Sequence, residues 1–140
     1  MQAVIDGIIL KLADIDPTIE AYDEHQEQGF KGPCFFVLEV DGNQAGLIGR
    51  RFKRSSLYDI HYFPKSDVDP RKECHDIADR LYCLMESFEW GGYRYKGTNL
   101  RHQVIDNMLH FFLEVKVHLI KPKDPVPKMN TMKGEVYTDG

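Results

Sequence analysis

The chain is 140 residues long, the size of one domain at roughly 100–200 residues per domain, which argues against a two-domain enzyme with an interdomain cleft. Hydrophobic residues make up 42% of it, aromatic residues 11% and charged residues 29%; that is enough apolar material for a packed core, and it excludes wholesale disorder. The formal net charge of −4 lacks the basic excess of a general phosphate-backbone binder.

Val4, Ile5, Ile8, Ile9 and Leu12 recur at helical spacing and predict a first amphipathic helix over 3–14, ended by Asp16-Pro17. Gly7 weakens that helix by up to about 1 kcal/mol. An acidic, extended stretch from Thr18 to Glu24 leads into a polar loop punctuated by Gly29, Gly32 and Pro33. Residues 1–30 hold Asp6, Asp14, Asp16, Glu20, Asp23, Glu24 and Glu27 against Lys11 alone, a net −6, which leaves +2 for residues 31–140. Such an asymmetry suits a surface that meets a differently charged surface of a second copy, although surface charge also serves solvation alone.

The run Cys34 to Val40 reads as a strand rich in aromatic and β-branched residues, with Asp41-Gly42 opening a turn and a Gly-containing connection through Gly49. Residues 50–63 read as extended, with Tyr58, Ile60 and Tyr62 on one face and Asp59, His61 and Phe63 on the other, until Pro64 stops them. A second helix starts with Asp69 as N-cap and Pro70 in its first turn. Cys74, Ile77, Ala78, Leu81, Met85 and Phe88 form its apolar stripe, and Gly91-Gly92 is expected to end it.

Two strands follow over 93–105 and 109–120, joined by a turn at Asp106-Asn107. In the last, Phe111, Leu113, Val115, Val117 and Leu119 face the core, while His110, Phe112, Glu114, Lys116 and His118 face a mostly wet side. Pro122, Pro125 and Pro127 exclude helix and central strand from what comes next. The expectation is therefore an α+β domain over residues 1–120, with a mostly antiparallel sheet, two helices packed on one face and the order α-β-β-β-α-β-β, followed by an extended C-terminal tail over 121–140.

The chemistry of an active site is scarce. The chain has no G-x-x-x-x-G-K-[ST], G-x-G-x-x-G or H-E-x-x-H motif. Cys74 and His75 are adjacent on a helix and point about 100° apart, too far to clamp one metal unaided. His110 and His118 share a strand face but lie roughly 26 Å apart. His61 reads as a partnered structural histidine before it reads as a general base, and Asp76 and Asp79 as a solvated helix face. Three cysteines, Cys34, Cys74 and Cys83, are an odd number without a disulfide spacing and read as buried thiols of a reducing compartment. No basic residue precedes the first apolar run, which Asp6 and Lys11 interrupt, and no run reaches the 18 or so apolar residues of a membrane span. Location in the cytoplasm, no catalytic activity, no cofactor and no metal are expected.

The sharpest local feature is Arg50, Arg51, Phe52, Lys53 and Arg54, four cations around an aromatic. It reads as a solvated edge that discourages stray strand pairing, as a subunit contact for the acidic first segment, or as a small single-stranded nucleic-acid module with Phe52 as stacking platform. A weaker third class is a hydrolase built on His61 and nearby carboxylates.

Several segments read jointly: Glu27-Gln-Gly-Phe-Lys-Gly-Pro-Cys-Phe-Phe36, Arg51-Phe-Lys-Arg54, Tyr58-Asp-Ile-His-Tyr-Phe-Pro64, Gly97-Thr98 and Met108-Leu-His-Phe-Phe112. Over about residues 1–120 the chain resembles the tail terminator family of phages and of prophage-derived tail-like particles. The resemblance implies a small α+β protein that assembles as a homohexameric ring on the head-proximal end of the tail tube and stops its polymerisation. It also implies the tube protein as partner, a joining surface for a head-completion or connector protein or a cap, and, in contractile tails, an anchor for the last ring of sheath protein. DNA would enter only by passage through the ring lumen. On that reading Arg50–Arg54 and Phe112, on the half-wet face of the last strand, are candidate subunit or partner contacts.

Overall fold

The computed structural model describes residues 2–23, 33–65 and 68–122, and the backbone of 136–138. Helix α1 spans Gln2–Leu12; its end tightens into three i→i−3 bonds, Ala13 N–H to the Leu10 carbonyl at 3.3 Å, Asp14 to Lys11 at 3.0 Å and Ile15 to Leu12 at 3.0 Å. The Asp16 carboxylate then accepts from the Thr18 backbone N–H at 2.9 Å and from its hydroxyl at 2.7 Å, which turns the chain at Pro17.

The remaining elements are β1 (Glu20–Tyr22), β2 (Cys34–Gly46), β3 (Arg51–Phe63), α2 (Pro70–Leu84), β4 (Ser87–Trp90), β5 (Tyr93–Ile105), β6 (Met108–Ile120) and β7 (Val136–Thr138). The strands lie in the order β1-β2-β3-β6-β5-β4, and β7 pairs with β6. All neighbours are antiparallel except β1 and β2. The fold is thus α+β with a mostly antiparallel sheet. Helix α1 packs on β1 and β2 near one edge and on β4 at the other, so the sheet curls around it. Both helices join one core with Phe35, Val37, Tyr58, Ile60, Tyr62, Leu109, Phe111 and Leu113, residues that the strand register places on a single sheet face.

Three boundaries differ from the sequence reading. Strand β2 does not turn at Asp41-Gly42; a bulge between Glu39 and Asp41 absorbs the irregularity and pairing with β3 continues to Gly46, so the turn falls at residues 47–50. Helix α2 ends at Leu84, with Met85 donating to the Leu81 carbonyl at 2.9 Å, and residues 87–90 form the extra strand β4. Strand β5 takes over here: its Gly97 N–H donates to the Glu86 carbonyl at 3.2 Å, just past the helix cap at Met85 and next to the first residue of β4. Gly91 and Gly92, at φ 61° and 83°, are consequently the two-residue turn of the β4–β5 hairpin, not a helix stop. Asp106 and Asn107, at φ 51° and 59°, make the expected β5–β6 turn in the same way. Of the expected tail, Val136–Thr138 returns to the sheet and pairs with Val117–Leu119; residues 123–135 and 139–140 lie outside the described residues. Among the described residues no helix is long and apolar enough to cross a membrane.

Candidate assembly interface

Beyond the bulge, residues 39–46 of β2 are exposed, and with the first half of β3 they form a hairpin arm. Its tip is apolar: Leu47 is half-exposed and Ile48 is 93% exposed. Arg50 sits in the tip turn, where its guanidinium donates to the Lys121 carbonyl at 3.0 Å and the Lys121 N–H donates to the Arg50 carbonyl at 2.8 Å, tying the tip to the end of β6.

Alternation splits the basic cluster. Arg51 and Lys53 lie on the outer face of the sheet, opposite Ile120 and His118 on β6. Phe52 and Arg54 lie on the core-facing side. Phe52 is 2% exposed and belongs to the core, with the Arg54 guanidinium and the Lys121 ammonium 5.9 and 5.8 Å from its ring centre. Arg54 donates to the Gln44 side-chain oxygen across the hairpin at 2.8 and 3.3 Å. Burial removes Phe52 as a stacking platform and with it the basis of the nucleic-acid reading. Its even position, shared with Tyr58, Ile60 and Tyr62, is the signal that places it inside. Phe112 is on the outer face but roughly 20 Å along the strand from Lys53, opposite Asp59, with the Arg101 guanidinium 4.9 Å from its ring centre. The structure therefore does not join it to the basic patch.

The acidic residues gather at the other end of the molecule. Strand β1 pairs with β2 at Cys34, which lies opposite Phe63, so Glu20 is separated from Arg51 by the length of β3, roughly 40 Å. Asp14, Glu20 and Asp23 are exposed there. Asp6 and Asp23 share the Gln2 amide at 3.0 and 3.2 Å, and Lys11 lies 3.6 Å from Asp14. The two hydrogen bonds from Thr18 hold the Asp16 carboxyl below its ordinary range. Glu24 and Glu27 lie outside the described residues.

A second feature is one that chain-order reading does not reveal. Asp59 and His61 project from the outer face of β3, and His110 lies directly opposite His61 on β6. The Asp59 Oδ2 is 2.7 Å from His61 Nε2 and 3.3 Å from His110 Nδ1, and the two imidazoles stand edge to face at 4.3 Å. One ligand atom from each of the three residues lies within 4.8 Å of the others. The period-two pattern already puts Asp59 beside His61; only the pairing of β3 with β6 brings in His110.

The cysteines are free, with Cys34 and Cys74 buried as expected and their thiols pushed up in pKa by burial. Cys83, also expected inside, is exposed because it lies off the α2 stripe. Asp76 and Asp79 are exposed, as a solvated helix face requires.

Comparison with known proteins adds an independent line. Among curated proteins none matches. One solved structure aligns over 89% of this chain and 97% of its own at 13% identity, with a TM-score of 0.42. The family profile described as phage tail terminator protein matches residues 3–127, which takes in α1 from its second residue and every element from β1 through β6. The chain belongs to the phage tail terminator family, a family of structural proteins of tail assembly.

Proposed function

We propose that the chain is the subunit of a homohexameric ring that closes on the head-proximal end of the completed tail tube and stops its growth. The observation that carries this reading, beside family membership, is the separation of charge on one elongated sheet: a basic patch at the arm, Arg51 and Lys53, and an acidic pole at α1 and β1, roughly 40 Å apart. A closed ring needs two different surfaces on each subunit, one meeting the other on its neighbour. Opposite charges at opposite ends meet that need and set register and encounter rate, while the apolar tip at Leu47 and Ile48 supplies area to bury.

On this reading the arm of one subunit lies against the acidic pole of the next, with Arg50 near the contact and Phe112 outside it. One rim of the ring meets the tube protein. The other offers the joining surface for a head-completion or connector protein, or serves as the cap of a headless particle. In a contractile tail the ring also holds the last sheath ring. No small-molecule substrate is involved, and DNA passes only through the lumen.

Negative-stain imaging and light scattering of the purified chain, alone and mixed with preformed tail tubes, test this directly. Rings of six, or tubes that bear a terminal ring and no longer elongate, are the expected result. A chain that stays monomeric and leaves tube growth unchanged refutes it.

A further inference from the structure

We infer that Asp59, His61 and His110 form a binding site for one divalent transition-metal ion of the zinc type, on the face of the sheet opposite the helices. The strand register builds the site. Positions i and i+2 of β3 carry Asp59 and His61 on one face, and the facing residue of β6 supplies His110, so three donors start from two adjacent backbones and converge. Around a tetrahedral ion with ligands at about 2.0–2.2 Å, neighbouring donor atoms stand roughly 3.3–3.5 Å apart. Asp59 Oδ2 and His110 Nδ1 are already at 3.3 Å. The closer approach to His61 Nε2, 2.7 Å, widens to that spacing by a small rotation of either side chain.

The state of Asp59 is the second, independent observation. The residue is 7% exposed, yet among the described residues its Oδ1 has no hydrogen-bond partner. A buried carboxylate with one oxygen unsatisfied is costly, and a cation bound to that carboxylate offsets the cost. Two imidazole nitrogens and one carboxylate oxygen favour zinc and its neighbours over magnesium and calcium, which take all-oxygen shells. The His61 and His110 side chains are 14% and 17% exposed, so solvent reaches the edge of the site, and water is the usual fourth ligand where a protein supplies three. A bound ion would clasp β3 to β6, the two central strands. The inference rests on this chain's own geometry and is independent of the ring.

The test uses the full-length chain freed of metal with a chelator and titrated with Zn2+ alone, with Mg2+ as control. One Zn2+ per chain, a melting temperature that rises with Zn2+ and not with Mg2+, and a shift of the His61 and His110 imidazole NMR signals are expected. Asp59→Asn and His110→Gln should each weaken binding by more than the roughly 10–100-fold that loss of a supporting hydrogen-bond partner costs. His75 and His102, whose rings lie 5.7 Å apart by α2, are the competing surface pair, so the variant with both changed to Gln should still take up one Zn2+. Absence of Zn2+ binding overturns the inference. Binding that survives in Asp59→Asn and His110→Gln, or NMR shifts confined to His75 and His102, overturns it equally. The NMR measurement is made on the unaltered chain, so it decides even where a variant fails to fold.

Discussion

Gly97 crosses the end of α2 with its Cα pressed against the backbone carbonyl of Met85, so that any Cβ at this position would collide with that oxygen. The contact is backbone on backbone and cannot be relieved by turning a side chain. It sets β5 beside the chain just past the helix cap, where its N–H donates to the Glu86 carbonyl, and there β5 passes from pairing with β4 over Tyr93–Lys96 to pairing with β6 from Gly97 onward. Gly97→Ala is therefore expected to destabilise the fold by about 1–3 kcal/mol, the range for forcing atoms into a filled site. Urea denaturation measures it. Gly46→Ala is the control: a Cβ there meets nothing within 4 Å, and its effect should stay within about 0.5 kcal/mol.

Gly7 sets two effects against each other. Alanine is the better helix former by up to about 1 kcal/mol. But a Cβ on Gly7 would lie 3.1 Å from the Phe88 ring and 3.1 Å from the Cβ of Trp90. Phe88 is buried and packed against Tyr95 at 5.7 Å, and the Trp90 Cβ is fixed to its strand, so neither yields freely. Crowding should win, with a net loss of about 1 kcal/mol for Gly7→Ala. A gain in stability would show that β4 can move away from α1.

The contrast between these glycines and the well-read parts of the chain shows what a sequence carries. The alternation of β6 and the Asp69-Pro70 start of α2 are legible because the deciding interactions are local: a period of two on a half-buried strand, and a side chain that accepts from Lys72 N–H at 3.2 Å. The end of α2 is not. Met85 and Phe88 stand three apart and fit a helical stripe, and only the passage of Gly97 decides that one caps the helix and the other belongs to a strand. The same holds at Asp41-Gly42, a turn signal overridden because β3 offers a partner strand to both sides of it. The histidine cluster divides along this line. Asp59 and His61 are readable as neighbours on one face, whereas His110 joins them across 51 positions of sequence.

Stability should fall at alkaline pH. Burial, above all, pushes the phenols of Tyr58, Tyr62 and Tyr95 upward; the nearby Glu39 carboxylate adds to this at Tyr58, and Glu73, which accepts the Tyr62 hydroxyl at 2.7 Å, adds to it at Tyr62. The thiols of Cys34 and Cys74 are raised by burial too. Unfolded, these groups lose their protons near pH 8.5 for cysteine and about 10 for tyrosine, whereas the native state retains them to higher pH. The unfolded chain then binds fewer protons than the native one, so the free energy of unfolding declines as pH rises, by up to about 1.4 kcal/mol per pH unit for each such group. Their contribution is complete below about pH 8.5. Urea titrations between pH 7 and 10.5 should show the decline, and Tyr62→Phe should make it shallower. A flat profile to pH 10.5 would contradict the burial of these phenols.

Charge reversal tests the proposed contact between neighbouring subunits. Arg51 and Lys53 share the outer face of the arm, whereas Arg54 is engaged with Gln44 on the other side, so the informative change is Arg51→Glu with Lys53→Glu. Exposed pairs contribute about 0.2–1 kcal/mol each, so turning two attractions into repulsions should cost roughly 1–2 kcal/mol per interface, about 5–30-fold in association. The loss should be greatest at low salt, because the screening length shrinks from about 10 Å at 0.1 M to 3 Å at 1 M. Reversing the other pole in the same chain, with Glu20→Lys and Asp23→Lys, restores opposite charge across the contact. This fourfold variant should regain assembly that each double variant lacks. Light scattering across a salt series reads all three. If the fourfold variant assembles no better than its parents, the arm meets a different surface of its neighbour, and negative-stain images decide separately whether a ring forms at all.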